Sequence, residues 1–166
     1  MRDVDDFTAF VAARWTRLVR SAILLGCSPA EAEDVAQSTL ERCLRSWSKV
    51  QHATSRDAYV HRVLVNTFIS SRRGRSRRET PVAVLPDQPV SDATGLVDGA
   101  GAIGQALSLL PEDQRIAVVL RYYLGQSESQ MAETLGVPPG TIKSRLSRAK
   151  AALSVDPNLL ELRELR

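Results

Sequence analysis

Residues 127–153, with the sequence SESQMAETLGVPPGTIKSRLSRAKAAL, predict two short helices joined by a tight turn. Ser127 and Gln130 form a capping box, in which each side chain bonds the other's backbone N–H, so a helix should begin directly after Ser127. Gly136 is suited to end that helix, because glycine adopts left-handed backbone angles without a Cβ clash. Pro139 suits the first turn of the next helix. This arrangement is typical of a helix-turn-helix.

The second of these helices has one apolar face and one polar, cationic face. Apolar residues recur at intervals of four and three, which predicts a single buried stripe. The stripe consists of Ile142, Leu146, Ala149 and Leu153. The predicted DNA contacts are Thr141, Lys143, Ser144, Arg145, Ser147 and Arg148. Long cations and short hydroxyls reach phosphates and base edges in the major groove.

A solvated basic helix end is the plainer interpretation of these cations. The cap, the glycine and the short turn that precede them favour DNA binding instead. Pro138 occupies the position where a capping Ser or Asp usually stands, so this side-chain cap is absent, at a cost of about 1 kcal/mol.

Composition favours an all-α protein. The chain has 166 residues, of which only 5% are aromatic. No run of alternating β-branched residues between turn signals indicates a sheet. The longest apolar stretch, residues 21–27, is too short to span a membrane. We therefore expect a cytoplasmic protein that does not insert into membranes.

No arrangement of residues predicts an enzyme, a metal site or a cofactor. Paired carboxylates, a nucleophile with its base and a phosphate-binding glycine loop are all lacking from the sequence pattern. The two cysteines and two histidines do not have zinc-ligand spacing. They are Cys27, Cys43, His52 and His61. Burial is the expected role of Cys43.

The N-terminal part of the chain predicts three helices. Asp5 or Asp6 is suited to cap the first, and Gly26 to end it. Ser28 and Glu31 form a second capping box, which should start the second helix.

The second helix should carry a polar stripe opposite its apolar face. The stripe consists of Asp34, Gln37 and Glu41, at positions i, i+3 and i+7. The apolar face is expected to continue through Leu44 and Trp47. Such a stripe is usually solvated surface, and a docking face for a partner is the alternative.

A third helix is predicted from about Asp57 to Arg73, leading into a cationic segment. Its candidate DNA contacts are Arg62, Asn66, Ser70, Arg72 and Arg73. Between Arg56 and Arg78 there are seven arginines and one acid, a local charge of seven minus one, or +6. Arginine favours forked contacts to phosphates and bases, so a nucleic-acid footprint is preferred over a solubilising tail.

Residues 79–102 should form a flexible acidic linker between two small helical domains, 1–78 and 103–166. This segment has three prolines, three glycines and four acids, without Lys or Arg. It cannot bury enough apolar surface to offset the entropy of ordering. Beyond it, helices are expected at residues 103–110 and from Pro111 to Tyr123.

Together these features resemble the small two-domain sigma factors of bacterial RNA polymerase. The match is to the extracytoplasmic-function (group IV) class of the sigma-70 superfamily, and within it to the actinobacterial SigE-like members. AEAEDVAQSTLERCLRSW at residues 30–47 is similar to region 2.2. AYVHRVLVNTFISSRRGRSRR at residues 58–78 is similar to regions 2.3 and 2.4. Residues 107–153 resemble region 4.

The resemblance implies a protein that binds core RNA polymerase and directs promoter-specific transcription initiation. It implies that the polar stripe docks on the β′ clamp helices and that the polymerase β flap is a further contact. The helix carrying Arg62 and Asn66 would read the −10 element and trap a flipped base, and helix 139–150 would read the −35 element. An anti-sigma factor is a further partner that it allows.

Two other functions remain open at this point. A stand-alone helix-turn-helix regulator would bind an operator tightly without polymerase, but it leaves the polar stripe unexplained. A protein that only sequesters polymerase or another factor would not need Lys143 and Arg148.

Overall fold

The computed structural model describes residues 2–78 and 100–156. Within those ranges the chain forms helices and turns without a β-strand, which confirms the all-α prediction. We call residues 2–78 the N-terminal half and residues 100–156 the C-terminal half. The predicted linker falls largely on residues 79–99, outside the described residues.

The N-terminal half contains four of the helices, and the C-terminal half contains the other four with one π-helical turn. The first group is α1 (Arg2–Leu25), α2 (Pro29–Arg45), α3 (Trp47–Gln51) and α4 (Arg56–Arg78). The second group is α5 (Ala100–Ser108), α6 (Glu112–Val118), the π-helical turn (Val119–Tyr123), α7 (Glu128–Leu135) and α8 (Pro139–Ser154). None of these described helices is both long and apolar enough to cross a membrane.

The start of α1 differs from the prediction. The helix begins at Arg2, so Asp5 and Asp6 lie inside its first turns and do not cap it. The Asp6 carboxylate instead accepts a hydrogen bond from Gln51 at 3.1 Å and so joins α1 to α3. The end of α1 is as predicted, because Gly26 takes a positive φ of 114°.

Helix α2 begins as predicted but ends earlier than predicted. Both bonds of the Ser28 and Glu31 capping box are present. The helix ends at Arg45, and Trp47 starts α3, so the expected continuous apolar face is wrong at Leu44, which is 51% exposed. The break turns Trp47 towards the rings of Phe7 and Phe10, whose centroids lie 5.1 and 5.0 Å away.

Helix α4 runs to Arg78, five residues beyond the predicted end. Val60, Leu64 and Phe68 are fully buried, as expected, and α4 packs on α1 and α2. The cationic segment is therefore helical and continues the α4 surface.

The helix-turn-helix of the C-terminal half is confirmed. Ser127 and Gln130 make both capping-box bonds, at 3.1 and 2.9 Å, and Gly136 is left-handed with φ 63°. Pro138 precedes α8 without a side-chain cap, as predicted. Ile142 and Ala149 are fully buried.

Several helix boundaries in the C-terminal half differ from the prediction. Helix α5 begins at Ala100, three residues before the expected start at 103, and ends at Ser108, two residues before the expected end at 110. Helix α6 begins at Glu112, one residue after the expected Pro111. The helix expected to continue to Tyr123 changes to a π-helical turn at Val119, where the N–H of Leu124 bonds the Val119 carbonyl at 2.9 Å. Gly125, with φ 68°, ends the turn.

Replacement of Gly136 by alanine should lower the free energy of unfolding by about 1–2 kcal/mol, because a Cβ disfavours the left-handed conformation. Gly140, inside α8, provides a matched control: Gly140→Ala should leave stability unchanged or raise it by up to about 1 kcal/mol. A Cβ at either position meets no atom within 4 Å. Urea unfolding would measure both, and equal effects would contradict the backbone argument.

The two halves pack against each other, which the sequence did not predict. Helix α1 contacts α6 and the π-helical turn, and α4 contacts α7. Buried apolar side chains of both halves form one continuous core. The structure therefore holds the two candidate DNA-binding helices in a fixed relation.

Candidate nucleic-acid interface

Helix α8 presents four of the predicted DNA contacts on one exposed face. They are Lys143, Ser144, Ser147 and Arg148. This face lies opposite the buried side chains of Ile142 and Ala149, which pack α8 onto the rest of the half. The core thus holds the hydroxyls and cations at the surface, as the sequence predicts.

Two other predicted DNA contacts on α8, Arg145 and Thr141, are partly buried, unlike the four on the exposed face. The Arg145 side chain is only 23% exposed, and its Nε lies 3.4 Å from the Asp113 carboxylate on α6. Thr141 is half-buried, and its backbone carbonyl accepts a hydrogen bond from the Ser144 hydroxyl at 3.1 Å. Arg145 therefore joins α8 to α6 in this structure.

A groove beside α8 contains residues that sequence reasoning did not single out. It has a volume of about 300 Å³, and Arg121, Tyr122 and Glu128 line it together with Lys143 and Lys150 on α8. The π-helical turn places Tyr122 there, with Lys150 Nζ 5.7 Å from its ring centroid. A π-helical turn contains one residue more than an α-helical turn, so these side chains point in a different direction than a continuous α-helix would give them. The hydrophobic periodicity of the sequence does not reveal this change.

Helix α4 presents the second predicted row of DNA contacts. Arg62, Asn66, Ser70 and Arg73 are all exposed and lie along one side of the helix. Spacings of four, four and three residues place them on neighbouring turns. A nucleic-acid strand could therefore meet both cations and the amide together.

Arg72, the fifth predicted DNA contact on α4, does not lie in the exposed row of the other four. Its Nη2 donates a 2.6 Å hydrogen bond to the Gly26 carbonyl, and its Nε lies 4.0 Å from the Glu112 carboxylate of the C-terminal half. Its guanidinium also lies 5.2 Å from the ring centroid of Phe68. In this structure Arg72 joins elements of the protein.

The polar stripe on α2 is exposed along its whole length. Gln37 Nε2 donates to the Glu41 carboxylate at 3.1 Å. Asp34 lies at a cavity of about 160 Å³, where Glu31 of α2 pairs with Arg75 of α4. The stripe therefore adjoins the cationic end of α4.

Comparison with known proteins identifies the family. A model described as sigma-70 region 2 matches residues 10–78, and a model described as sigma-70, region 4 matches residues 100–153. RNA polymerase sigma-E factor of Streptomyces coelicolor is 36% identical over 153 residues, which are 92% of this chain and 86% of that protein. ECF RNA polymerase sigma factor SigM of Mycobacterium tuberculosis is 35% identical over 139 residues, covering 83% and 70%. The chain belongs to the extracytoplasmic-function sigma factors.

A solved sigma factor has a similar arrangement. The sigma factor RpoE of Bartonella quintana, crystallised with the anti-sigma factor NepR, is 31% identical to this sigma factor. The TM-score is 0.66, and the match covers 89% of this chain and 94% of that one. The region 2 match contains the polar stripe and α4, and the region 4 match contains the helix-turn-helix.

His61 of the sigma factor is a buried titratable group that sequence reasoning left without a role. The side chain is 6% exposed, on α4. Burial lowers its pKa to about 4, and the charge of Arg17 acts in the same direction. Asp57 opposes the shift, and Arg14 contributes to it. His61 is therefore neutral at physiological pH.

This neutral histidine should make the sigma factor less stable in acid. Between the unfolded pKa of about 6.5 and the folded value of about 4, the unfolded chain binds more protons, so stability falls as the pH falls. Unfolding by urea at pH 7 and at pH 4.5 should differ by roughly 2 kcal/mol through this group. His61→Leu should remove that difference, whereas the exposed His52→Leu should retain it. An unchanged pH dependence in His61→Leu would contradict the assignment.

The two thiols of the sigma factor are free and buried. Burial raises the pKa of Cys43 to about 11. Burial also raises the pKa of Cys27, although Arg72, Arg75 and Arg115 oppose the shift. Within the described residues, no three His, Cys, Asp or Glu side chains are grouped so that they could hold a metal ion.

Proposed function

We propose that this sigma factor binds core RNA polymerase through the polar stripe on α2 and recognises promoters with α4 and α8. The face of α8 that bears Lys143 and Arg148 is the main support for the proposal, because its cations and hydroxyls are exposed while Ile142 and Ala149 on the opposite side are fully buried. The pattern suits the major groove of a −35 element. The row on α4, with Asn66 between cations, suits the −10 element and a flipped base.

The two DNA contacts should act together. A chain of net charge +3 has little excess charge for tight binding to DNA alone. Core polymerase would hold both halves on one promoter, where the second contact gains from effective concentration. The protein therefore acts by assembly, without breaking or forming a bond, in the cytoplasm where the polymerase works.

We propose three functional segments. Residues 1–78 dock on the β′ clamp helices and read the −10 element, and residues 79–102 link the domains. The remaining residues read the −35 element and approach the β flap. The helical start of the second domain at Ala100 supports a boundary slightly earlier than 103.

Selection of genomic DNA fragments would test this function. The immobilised sigma factor is incubated with sheared genomic DNA, with and without core polymerase, and the retained fragments are sequenced. Specific fragments should be retained only when core polymerase is present. If the chain alone retains the same fragments with the same affinity, it is an operator-binding regulator and the proposal is wrong.

An anti-sigma factor is a further partner that we propose. An apolar groove of about 340 Å³ crosses the junction of the halves. It is lined by Leu24 of α1 together with Ile103, Leu107, Tyr122 and Leu153 of the C-terminal half. An apolar helix bound there would contact both halves at once. Co-purification that is lost in Ile103→Ser/Tyr122→Ser would support this partner, and unchanged recovery would contradict it.

A further inference from the structure

The apolar groove of about 340 Å³ leaves large side chains open to solvent. All of its lining residues except Leu24 of α1 belong to the C-terminal half. Ile103 on α5 is 44% exposed and Tyr122 in the π-helical turn is 58% exposed, although both line the groove. Contiguous apolar surface of this kind on a soluble protein marks a binding site. The groove is therefore suited to receive further apolar side chains.

The chain itself reaches this groove at the end of α8. Leu153 in the last turn of α8 lines the groove, and the helix ends at Ser154. Val155 leaves helical geometry with φ −103° and ψ 2°, and the N–H of Asp156 bonds the Leu153 carbonyl at 3.3 Å. The residues that follow therefore start close to the groove and need not continue along the axis of α8.

Residues 157–166 have the sequence PNLLELRELR, and we call them the leucine segment. Asp156 and Pro157 are residue types preferred at the N-cap and at the first position of a helix, so the sequence predicts a further helix start here. Leu159, Leu162 and Leu165 recur at intervals of three, which places them on one side of such a helix. An isolated helix shorter than about 12 residues is marginal in water, so this one needs an apolar surface on which to pack.

We propose that the leucine segment folds back on the C-terminal half and buries Leu159 and Leu162 in the groove. Leu159 follows Leu153 by six residues, which span about 20 Å at most when extended. A tether this short gives an effective concentration on the order of millimolar. The attached segment therefore has an advantage over a second copy of the chain or a free partner at lower concentration.

The other segment that adjoins the groove is less suited to occupy it. Residues 79–99 lead into α5, which starts at Ala100. They contain Pro81, Pro86 and Pro89, and proline inside a helix removes a hydrogen bond and clashes with the preceding turn. This segment therefore cannot present an uninterrupted helical row of apolar side chains.

Docking of the leucine segment goes beyond the proposed function and does not depend on it. One consequence does rest on that function: an anti-sigma factor that uses the same groove would first have to displace the segment. Its apparent affinity would then fall in proportion to the fraction of chains whose groove is open.

The test is the alkylation rate of a cysteine placed in the groove of the full-length chain. Ile103→Cys is the reporter, and Leu109→Cys is the reference, because Leu109 is 76% exposed and does not line the groove. The rates are measured with a bulky maleimide and peptide mass spectrometry. A covered thiol reacts only when the covering segment opens, so the docked segment should slow the reaction at position 103.

The leucines are then removed from the segment in both reporter chains. Leu159→Ser/Leu162→Ser should accelerate alkylation at position 103 at least about tenfold, as expected if the segment is docked in about 90% of the molecules, and should leave position 109 unchanged. Glu161→Ser/Glu164→Ser is the matched control, because it alters the same segment and retains its leucines. It should change neither rate. The native thiols of Cys27 and Cys43 are buried and should stay slow throughout.

Three results would overturn the proposal. The first is an equal rate at position 103 with and without the two leucines. The second is protection of position 103 that grows with protein concentration, because a second copy would then be the occupant. The third is a reactive Cys43 in the Leu159→Ser/Leu162→Ser variant, because the change would then be unfolding. These readouts include no polymerase, DNA or anti-sigma factor, so docking of the segment and promoter recognition can each fail while the other stands.

Discussion

Replacement of both Lys143 and Arg148 by alanine is expected to lower promoter-directed transcription by at least about 30-fold. Each good contact to a base edge supplies roughly 1–3 kcal/mol, so two lost contacts weaken recognition by 2 kcal/mol or more. Both side chains are exposed, so the free energy of unfolding should change by no more than about 0.5 kcal/mol each. Run-off transcription with core polymerase measures the first effect and urea unfolding the second.

The matched control removes two exposed cations elsewhere. Arg20→Ala/Lys49→Ala makes the same change in net charge, from α1 and α3. It should retain most of the transcription. Equal losses in the two double variants would mean that total charge, and not the α8 face, determines promoter recognition.

Charge reversal of the polar stripe should abolish binding to core polymerase. Asp34→Arg/Glu41→Arg presents cations to a partner surface that should complement two acids, and like charges in an interface cost several kcal/mol. We expect at least a 100-fold loss of affinity in a fluorescence titration with core polymerase. DNA contacts on α8 lie on a different half and should be unaffected.

Asp5→Arg/Glu133→Arg is the control for this reversal. Both acids are exposed and lie outside α2, on α1 and α7. This variant should bind core polymerase with nearly wild-type affinity. If it loses as much affinity as the α2 variant, long-range charge governs the association and the stripe is not a docking face.

Local sequence signals predicted the elements that carry the candidate site. The two capping boxes and the left-handed Gly136 depend on neighbouring residues only, so α2, α7 and α8 begin and α7 ends where expected. The exposed row on α4 also follows from helical spacing alone. Such features are independent of how distant parts of the chain pack.

Features that depend on distant contacts could not be predicted in this way. Arg145 and Arg72 have the residue type and spacing of DNA contacts, but Asp113 and the Gly26 carbonyl bind their guanidinium groups. The burial of His61 and of Arg115 depends on helices far away in sequence. The π-helical turn gives no periodic signal, because it differs from an α-helix by one residue in a turn.

Transcription from a genomic promoter library, with core polymerase and mapped start sites, most directly tests whether this chain is a promoter-recognition subunit. New start sites should appear only when the chain is added. They should share two upstream elements at a constant spacing, and Lys143→Ala/Arg148→Ala should remove them. The contrary result is a chain that never stimulates initiation by core polymerase and yet binds specific DNA by itself.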